Sequence, residues 1–279
     1  MNPEIAAADL AGAPLGRDSA YPDAYDPQLL YPVPRAPQRA ALGVGEPLPF
    51  TGIDLWTAYE LTWLNRRGRP HVAMATIEIP AESPRIVESK SMKLYLGSFA
   101  HTAFDDGPAV METIRADLAA VTGAAVHVVL EAPGGTPAAP LSDLEGIDLD
   151  ALDIACNAYD VDPSLLRAGG PRVAETLRTD LFRSTCPVTG QPDMGSIQIA
   201  YAGEAIDREA LLCYLVSYRR HCGFHEHCVE RIFMDVKHRC RCERLSVYAR
   251  FLRRGGLDIN PFRTNVPAGV PPRVRTRRQ

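Results

Sequence analysis

The chain has 279 residues, 46% of them hydrophobic, and a formal net charge of −4, enough for one large domain or two ordinary ones with real cores. No run of about 18 apolar residues occurs, so no membrane span is expected; the acidic start MNPEIAAADLAGAPLGRD has no long apolar stretch and does not read as a signal peptide. Residues 1–174 carry 12 Lys/Arg against 23 Asp/Glu, and residues 175–279 carry 18 against 11, so the basic second part should attract an anion, either a phosphorylated cofactor or nucleic acid.

Residues 1–48 form a Pro- and Ala-rich arm whose Tyr21, Tyr25 and Tyr31 are expected to pack it on the body. A first unit, 49–131, reads as a strand from Val72 to Ile79 and a second from Pro84 to Glu88. Helices over 89–100 and 106–122 follow, then a strand from Ala125 to Glu131. The break APGGTPAAP opens a linker, 132–174. The second unit, 175–279, opens with strands Leu177 to Thr185 and Ser196 to Ala202, a hairpin. Helices over 207–221, capped by Asp207, and over 225–239 precede a strand from Leu245 to Leu252. The order strand-strand-helix-helix-strand appears twice, which predicts an α+β fold with antiparallel sheet backed by helices on one face.

The hairpin's connection, RSTCPVTGQPDMGSIQI (183–199), places Cys186 and Asp193 at the two ends of a turn-rich loop. Cys186 reads either as a small buried hydrophobe or as a nucleophile held extended before Pro187. An ordinary thiol, with a pKa of about 8.5, needs a partner to take its proton. Asp193 reads either as that partner or as a turn aspartate after Pro192. In VESKSMKLYLGSF (87–99), Glu88, Ser89, Lys90 and Lys93 open a helical pattern, which taken alone is a capped helix with solvated charges. The segment HCGFHEHCVERIF (221–233) gathers His221, Cys222, His225, Glu226, His227 and Cys228, and His238, Cys240 and Cys242 lie beyond it. These are zinc-ligand types, but no C-x-x-C occurs and Cys240-x-Cys242 is tight for a structural site, so no metal is expected. An odd count of seven cysteines without an export signal predicts reduced thiols. The glycine fingerprints of Rossmann and P-loop sites and the G-x-S-x-G elbow are absent, so any dinucleotide is not bound by a Rossmann domain.

Taken together, ESKSMKLYLGSF, STCPVTGQPDMGSIQI, IDREALLCYLVSYRRHCGFHEHCVERIF, LSVYARFLRRGGLDINPFRTN, the arm segment LGRDSAYPDAYDPQLLYPVPR and LPFTGIDLWTAYELTWLN closely resemble the bimodular form of the 7-cyano-7-deazaguanine reductases, the QueF family of nitrile reductases. The resemblance runs over nearly the whole chain. It implies two tandem tunnelling-fold (T-fold) modules and NADPH-dependent reduction of the nitrile of 7-cyano-7-deazaguanine to an aminomethyl group, in the formation of a queuosine precursor. It further implies that Cys186 is the nucleophile of a covalent thioimide, that Asp193 is the proton donor and a hydrogen-bond partner of the sulfur, and that His225 relays a later proton. By the same resemblance Val87, Glu88, Ser89, His225 and Glu226 hold the substrate, with Phe224 stacking on the base, and Ser89, Lys90, Arg254 and Gly255 meet NADPH. Lys93, Arg253 and Arg263 are further candidates for its 2′-phosphate. The family implies a homodimer; the reduced thiols and the lack of an export signal or long apolar run predict a cytoplasmic protein that binds no membrane, and no nucleic acid partner is expected. Cys213, Cys222, Cys228, Cys240 and Cys242 have no role in this chemistry and read as packing or helix-surface thiols. Two other readings are a zinc-dependent cyclohydrolase of the same fold and an RNA-binding module using the tail PPRVRTRRQ. That tail is short and lacks interleaved aromatics, so a solvated or phosphate-contacting tail is expected.

Overall fold

Residues 22–134, 139–187 and 189–279 are described by a computed structural model, and they begin with an arm built into the body. Tyr21 lies outside the described residues. Tyr25 packs edge-on against Phe99 and Phe104, and its hydroxyl donates to Asp117 at 2.6 Å. The arm continues as β1 (Pro32–Pro34) and α1 (Ala36–Ala41).

The first unit runs β2 (Thr51–Leu64), β3 (Pro70–Pro80), β4 (Arg85–Val87), α2 (Ser89–Gly97), α3 (Gly107–Thr122) and β5 (His127–Glu131). Helix α3 has clear local causes. The Asp106 carboxylate accepts from the Ala109 N–H at 2.8 Å, Pro108 occupies the first turn, and Gly123 closes the helix at φ 76°. The stretch Pro84 to Glu88 does form a strand, but β4 pairs with β1 of the arm and not with the main sheet. The hairpin partner of β3 is β2. Alternation does not reveal β2, because Asp54, Leu55 and Trp56 are buried in succession on both faces.

The second unit follows β6 (Ile147–Asp148) and runs β7 (Ala168–Thr185), β8 (Pro192–Ile206), α4 (Arg208–Val216), a 3₁₀ turn at Ser217–Arg220, α5 (His225–Cys240), β9 (Arg244–Phe251) and β10 (Leu257–Thr264). Asp207 caps α4 by accepting from the Ala210 N–H at 3.1 Å. The helix expected to reach 221 tightens into the 3₁₀ turn at Ser217. Strand β7 starts inside the expected linker: Gly169, Gly170 and Pro171 interrupt the pattern, and the ladder resumes at Arg172 after a register shift. Strand β10 has weak sequence credentials because Pro261 cannot donate to a ladder. It is accommodated because β9 pairs with β10 only from Phe262 onward.

Strand β10 also pairs with β2 over its whole length. The result is one eight-stranded sheet in the order β5-β3-β2-β10-β9-β8-β7-β6, antiparallel except for β6–β7. The α+β class with two sheet-and-helix-pair modules therefore holds, with the two sheets fused edge to edge. Period-2 alternation puts Trp56, Ala58 and Ile259 under α2 and α3, and Val247, Ala249 and Phe251 under α4 and α5. On α5, Val229, Ile232, Phe233 and Val236 are fully buried at helical spacing, each contributing roughly 1.5–3 kcal/mol.

The C-terminal tail crosses the helix-free face. Val274 packs near Tyr248 and Phe262, Arg273 pairs with Glu78, and Arg278 donates to the Asp180 carbonyl at 2.6 Å. The Gln279 amide is buried and donates to the Phe251 carbonyl at 2.9 Å. The tail is thus laid on the sheet with Thr276 and Gln279 buried, while Arg273, Arg277 and Arg278 stay exposed, Arg273 and Arg278 reaching back to Glu78 and Asp180. No helix among the described residues is long and apolar enough to cross a membrane.

Candidate active site

The β7–β8 ladder explains the thiol and carboxyl at opposite ends of one loop. Ser184 pairs with Asp193 and Thr185 with Pro192. Side chains two residues apart share a face, so Cys186, two beyond Ser184, stands diagonally across from Asp193. The loop is closed by the Cys186 N–H donating to Gln191 O at 2.9 Å and the Gly190 N–H donating to Cys186 O at 3.0 Å. Gly190 takes φ 67°, which a side chain would oppose. Cys186 is 8% exposed.

The start of α5 is stitched to the same place. The Thr185 N–H donates to His221 O at 2.8 Å, and the Gly223 N–H to Thr185 O at 3.2 Å. Helix α5 then begins with His225, whose ring lies flat on Phe251 at 3.7 Å. Its Nε2 is 3.6 Å from Asp193 Oδ2. The other Asp193 oxygen takes Arg254, carried by the β9–β10 turn, and Arg254 also donates to Gln191. Burial pushes the Asp193 carboxyl up, but the His225 ring and the Arg254 guanidinium outweigh it and hold the group below the usual carboxylate range. Among the described residues no hydrogen bond joins Asp193 to the Cys186 sulfur. The bond implied by the family resemblance is not made in this arrangement, in which the carboxylate oxygens face the His225 ring and Arg254.

Cys186, Asp193, His225 and Arg254 line one cleft of about 650 Å³, open solvent at its mouth included. Val87, Ser89 and Lys93 close it from the first unit, and Phe224 and Glu226 from α5. Burial and the charge of Asp54 push the Glu226 carboxyl up to about 8, against the pull of Arg35 and Arg263. One helical turn on, Glu230 meets a different fate. Burial would raise it, but Arg263, Arg39 and Arg35 hold it at about 2. Glu230 accepts from Arg39 at 2.8 Å and from Arg263 at 2.9 Å, while Arg263 also pairs with Asp54 at 2.8 Å. The arm therefore joins a buried charge network one helical turn from the cleft-lining Glu226 through Arg35 and Arg39, which sequence reading did not single out. Arg263 is fully buried in this network, which removes it as a phosphate contact.

Glu88 is not on the cleft wall. It is fully buried as the N-cap of α2, its two oxygens accepting from the Lys90 N–H at 2.7 Å and the Ser91 N–H at 2.8 Å. Burial raises its pKa in spite of those two donors. Lys90 likewise lies off the wall, half-buried.

Of the residues expected to meet NADPH, Ser89 and Arg254 line the cleft and Gly255 lies in the turn beside it. Gly255 (φ 58°) and Gly256 (φ 75°) bend the β9–β10 turn. A Cβ on Gly255 would sit 3.2 Å from Lys93 Cδ, and one on Gly256 would sit 2.7 Å from Glu60 Oε2, both flexible side-chain ends, so it is the positive φ at each position that favours glycine. Lys93 and these glycines line an adjoining cleft. The exposed Arg253 stacks on Tyr59 at 4.8 Å.

The His/Cys segment is dispersed. Cys228, Cys240 and Cys242 are buried, His227 is buried against Phe224 with its pKa pushed down to about 4, and His238 is exposed. Among the described residues no three His, Cys, Asp or Glu side chains are grouped to hold a metal ion.

Residues 21–130 match the family model described as nitrile reductase, 7-cyano-7-deazaguanine-reductase N-term, and residues 192–268 match that of a QueF-like protein. The chain is 53% identical, over the whole of both chains, to proteins named NADPH-dependent 7-cyano-7-deazaguanine reductase from Burkholderia pseudomallei (strain 1106a) and Burkholderia mallei (strain SAVP1). A solved structure, the archaeosine synthase QueF-Like in the apo form, aligns at 20% identity and a TM-score of 0.31, covering 37% of this chain and 99% of that one.

Proposed function

The chain belongs to the family of NADPH-dependent 7-cyano-7-deazaguanine reductases, and from that premise we propose how its own residues carry out nitrile reduction. The observation that carries the proposal is the convergence of Cys186, Asp193 and His225 on one cleft. The reaction adds two hydrides and two protons to the C≡N group of 7-cyano-7-deazaguanine. NADPH supplies the hydrides.

A nitrile carbon is a weak electrophile, and covalent addition divides the hard step. Asp193, kept ionised by Arg254 and His225, takes the Cys186 thiol proton. The sulfur bonds to the nitrile carbon, and Asp193 passes that proton to the nitrile nitrogen, giving a thioimide. Nothing leaves, since S–H has added across C≡N. The lowered pKa keeps Asp193 in the ionised form that can take a proton, and once protonated it is an acid strong enough to pass that proton on to nitrogen. Once the carbon has been reduced a first time, the C–S bond breaks, Cys186 departs as thiolate and an imine remains; after the second reduction of that carbon, Asp193 and His225 between them deliver the two protons, one to the amine nitrogen and one back to the Cys186 sulfur.

Glu226 reads the N–H donor edge of the base from the cleft wall, beside Val87, Ser89 and His225, and Phe224 stacks on the ring. Glu88 is the second acceptor through Oε2, which accepts only from the Ser91 N–H, whereas Oε1 takes both the Lys90 N–H and the Ser89 hydroxyl; because Glu88 is buried off the cleft wall, this contact requires the first turn of α2 to shift as substrate enters. Ser89, Lys90, Arg254 and Gly255 hold the cofactor, with Lys93 and Arg253 as further cations. The two modules are best bounded at 49–131 and 175–279, extended back to Ala168 by β7. The same reading makes the protein a cytoplasmic homodimer in queuosine biosynthesis.

The test withholds NADPH. On mixing with 7-cyano-7-deazaguanine alone, the intact mass should rise by one substrate mass, with the label on the Cys186 peptide, and added NADPH should discharge it. A label on another cysteine, or none with binding intact, sinks the proposal. The rate of adduct formation should fall on acidification as Asp193 gains its proton. Arg254→Gln removes a cation that favours the ionised form, so Asp193 titrates higher and the acid limb of the rate profile should move to higher pH. An unmoved limb excludes Arg254 from this role.

A further inference from the structure

A second pair of reactive groups lies away from the cleft. Cys156 and Cys213 approach with their sulfurs 2.9 Å apart, 57 residues apart in sequence. We propose that they are a reversible dithiol–disulfide site that straps the segment Leu152–Leu166 onto α4.

Three observations support it. The sulfurs are already well inside van der Waals contact, and a disulfide needs about 2.05 Å, roughly 0.9 Å less than their present separation. Both residues are half-buried, and Cys213 lines an open cleft with Arg167, Glu209 and Asp153, through which a small oxidant or reductant can arrive. The segment also needs a fastener. Between Leu152 and Tyr159 its residues alternate between half-buried and exposed, as in a strand, yet it joins no sheet. Leu152 and Ile154 pack on the core. Its backbone is held to the helix side by an Arg220 N–H to Tyr159 O bond of 3.1 Å and an Asp162 N–H to Ser217 Oγ bond of 3.3 Å.

With a peroxide as oxidant the chemistry balances. The Cys213 thiol is oxidised to a sulfenic acid as the peroxide O–O bond breaks, releasing one water. The Cys156 sulfur then bonds to the Cys213 sulfur, and the sulfenic oxygen leaves with the thiol proton as a second water. Two thiols lose two electrons, and the peroxide gains them. Burial and Cys213 push the Cys156 thiol up to about 11, which fits Cys156 as the resolving partner and not the first to react. Cleavage by a dithiol reverses the bond.

The experiment exposes the full chain to graded ratios of oxidised and reduced glutathione and then to substoichiometric hydrogen peroxide. Remaining thiols are alkylated, and peptides are mapped without reduction. The expected result is a Cys156–Cys213 cross-link, lighter than its two peptides by about two hydrogens and released by dithiothreitol. Oxidation should raise the Tm of the wild type by roughly 5 °C, since the bond closes a long loop, and should not do so in Cys156→Ser or Cys213→Ser. Both variants should keep reductase activity under reducing conditions. Separate alkylation of both thiols at the most oxidising ratio, or cross-links only to other cysteines, overturns the site. A cross-link with no difference in Tm between wild type and variants overturns the strap.

Discussion

Cys186→Ala should abolish 7-cyano-7-deazaguanine-dependent NADPH oxidation, a loss on the order of 10⁴-fold or more, while the chain stays folded. The two expectations come from different features. Chemically, alanine offers no atom that can bond to the nitrile carbon, so the divided pathway closes. Structurally, the loop is held by backbone groups, the Cys186 N–H to Gln191 and the Gly190 N–H to Cys186, and both bonds survive loss of the sulfur. Substrate affinity should change little, because Glu226 and Phe224 sit on α5 and do not depend on the thiol. Cys222→Ser is the matching control. That sulfur touches Thr185 Oγ1 at 3.0 Å, a contact that a hydroxyl can replace, and it should leave turnover within a few-fold of wild type. Turnover by Cys186→Ala near the wild-type rate would remove covalent catalysis, and equal damage from Cys222→Ser would point to a structural effect of the whole segment 221–223.

Where local physics decides the structure, the sequence was legible. Asp106 with Gly123, and Asp207, announce helix ends by side-chain and φ chemistry that needs no distant partner. The hairpin carrying Cys186 and Asp193 was visible as alternation around turn residues, and the family resemblance assigned roles to its ends. The seam between modules could not be read in the same way. Strands β2 and β10 pair with each other across about 200 residues of chain, and neither alternates cleanly, one being buried on both faces and the other containing Pro261. The buried charge network was hidden for the same reason. Arg35 and Arg39 in a Pro-rich arm look like solvated charges until Asp54, Glu230 and Arg263 are brought to them. Arg263 was a candidate for a phosphate beside the contacts that the family resemblance implies, whereas its partners Asp54 and Glu230 lie on other elements. Glu88 shows the converse. Its motif was read as a capped helix and, by resemblance, as a substrate contact. Glu88 does cap α2, so any substrate contact must use the lone pairs that capping leaves free.

Asp193→Asn should be nearly as damaging as loss of the thiol, by a route that leaves the cleft's shape intact. The amide is isosteric with the carboxylate, but it can neither take the Cys186 proton nor return one to nitrogen. General acid–base assistance of this kind is worth about 10²–10⁴-fold, and here one group serves both directions, so a loss of at least ~10³ in adduct formation is expected. The carbonyl of the substituted amide can still accept from Arg254, which keeps the β9–β10 turn in place, so equilibrium binding of the nitrile should stay within a few-fold of wild type. Stability supplies an independent readout. The folded Asp193 carboxyl is held below its usual value, so it contributes stability above the unfolded carboxylate pKa of about 3.9 and loses it as pH falls through the folded value. The variant lacks that contribution, so the stability difference between wild type and Asp193→Asn should be largest near neutral pH and should shrink on acidification. Chemical denaturation at a series of pH values measures it, alongside the rate at which adduct mass appears. A variant that forms the adduct within tenfold of the wild-type rate would mean that another group moves the proton. His225 is then the next candidate, since its Nε2 is 3.6 Å from the carboxylate it would be replacing.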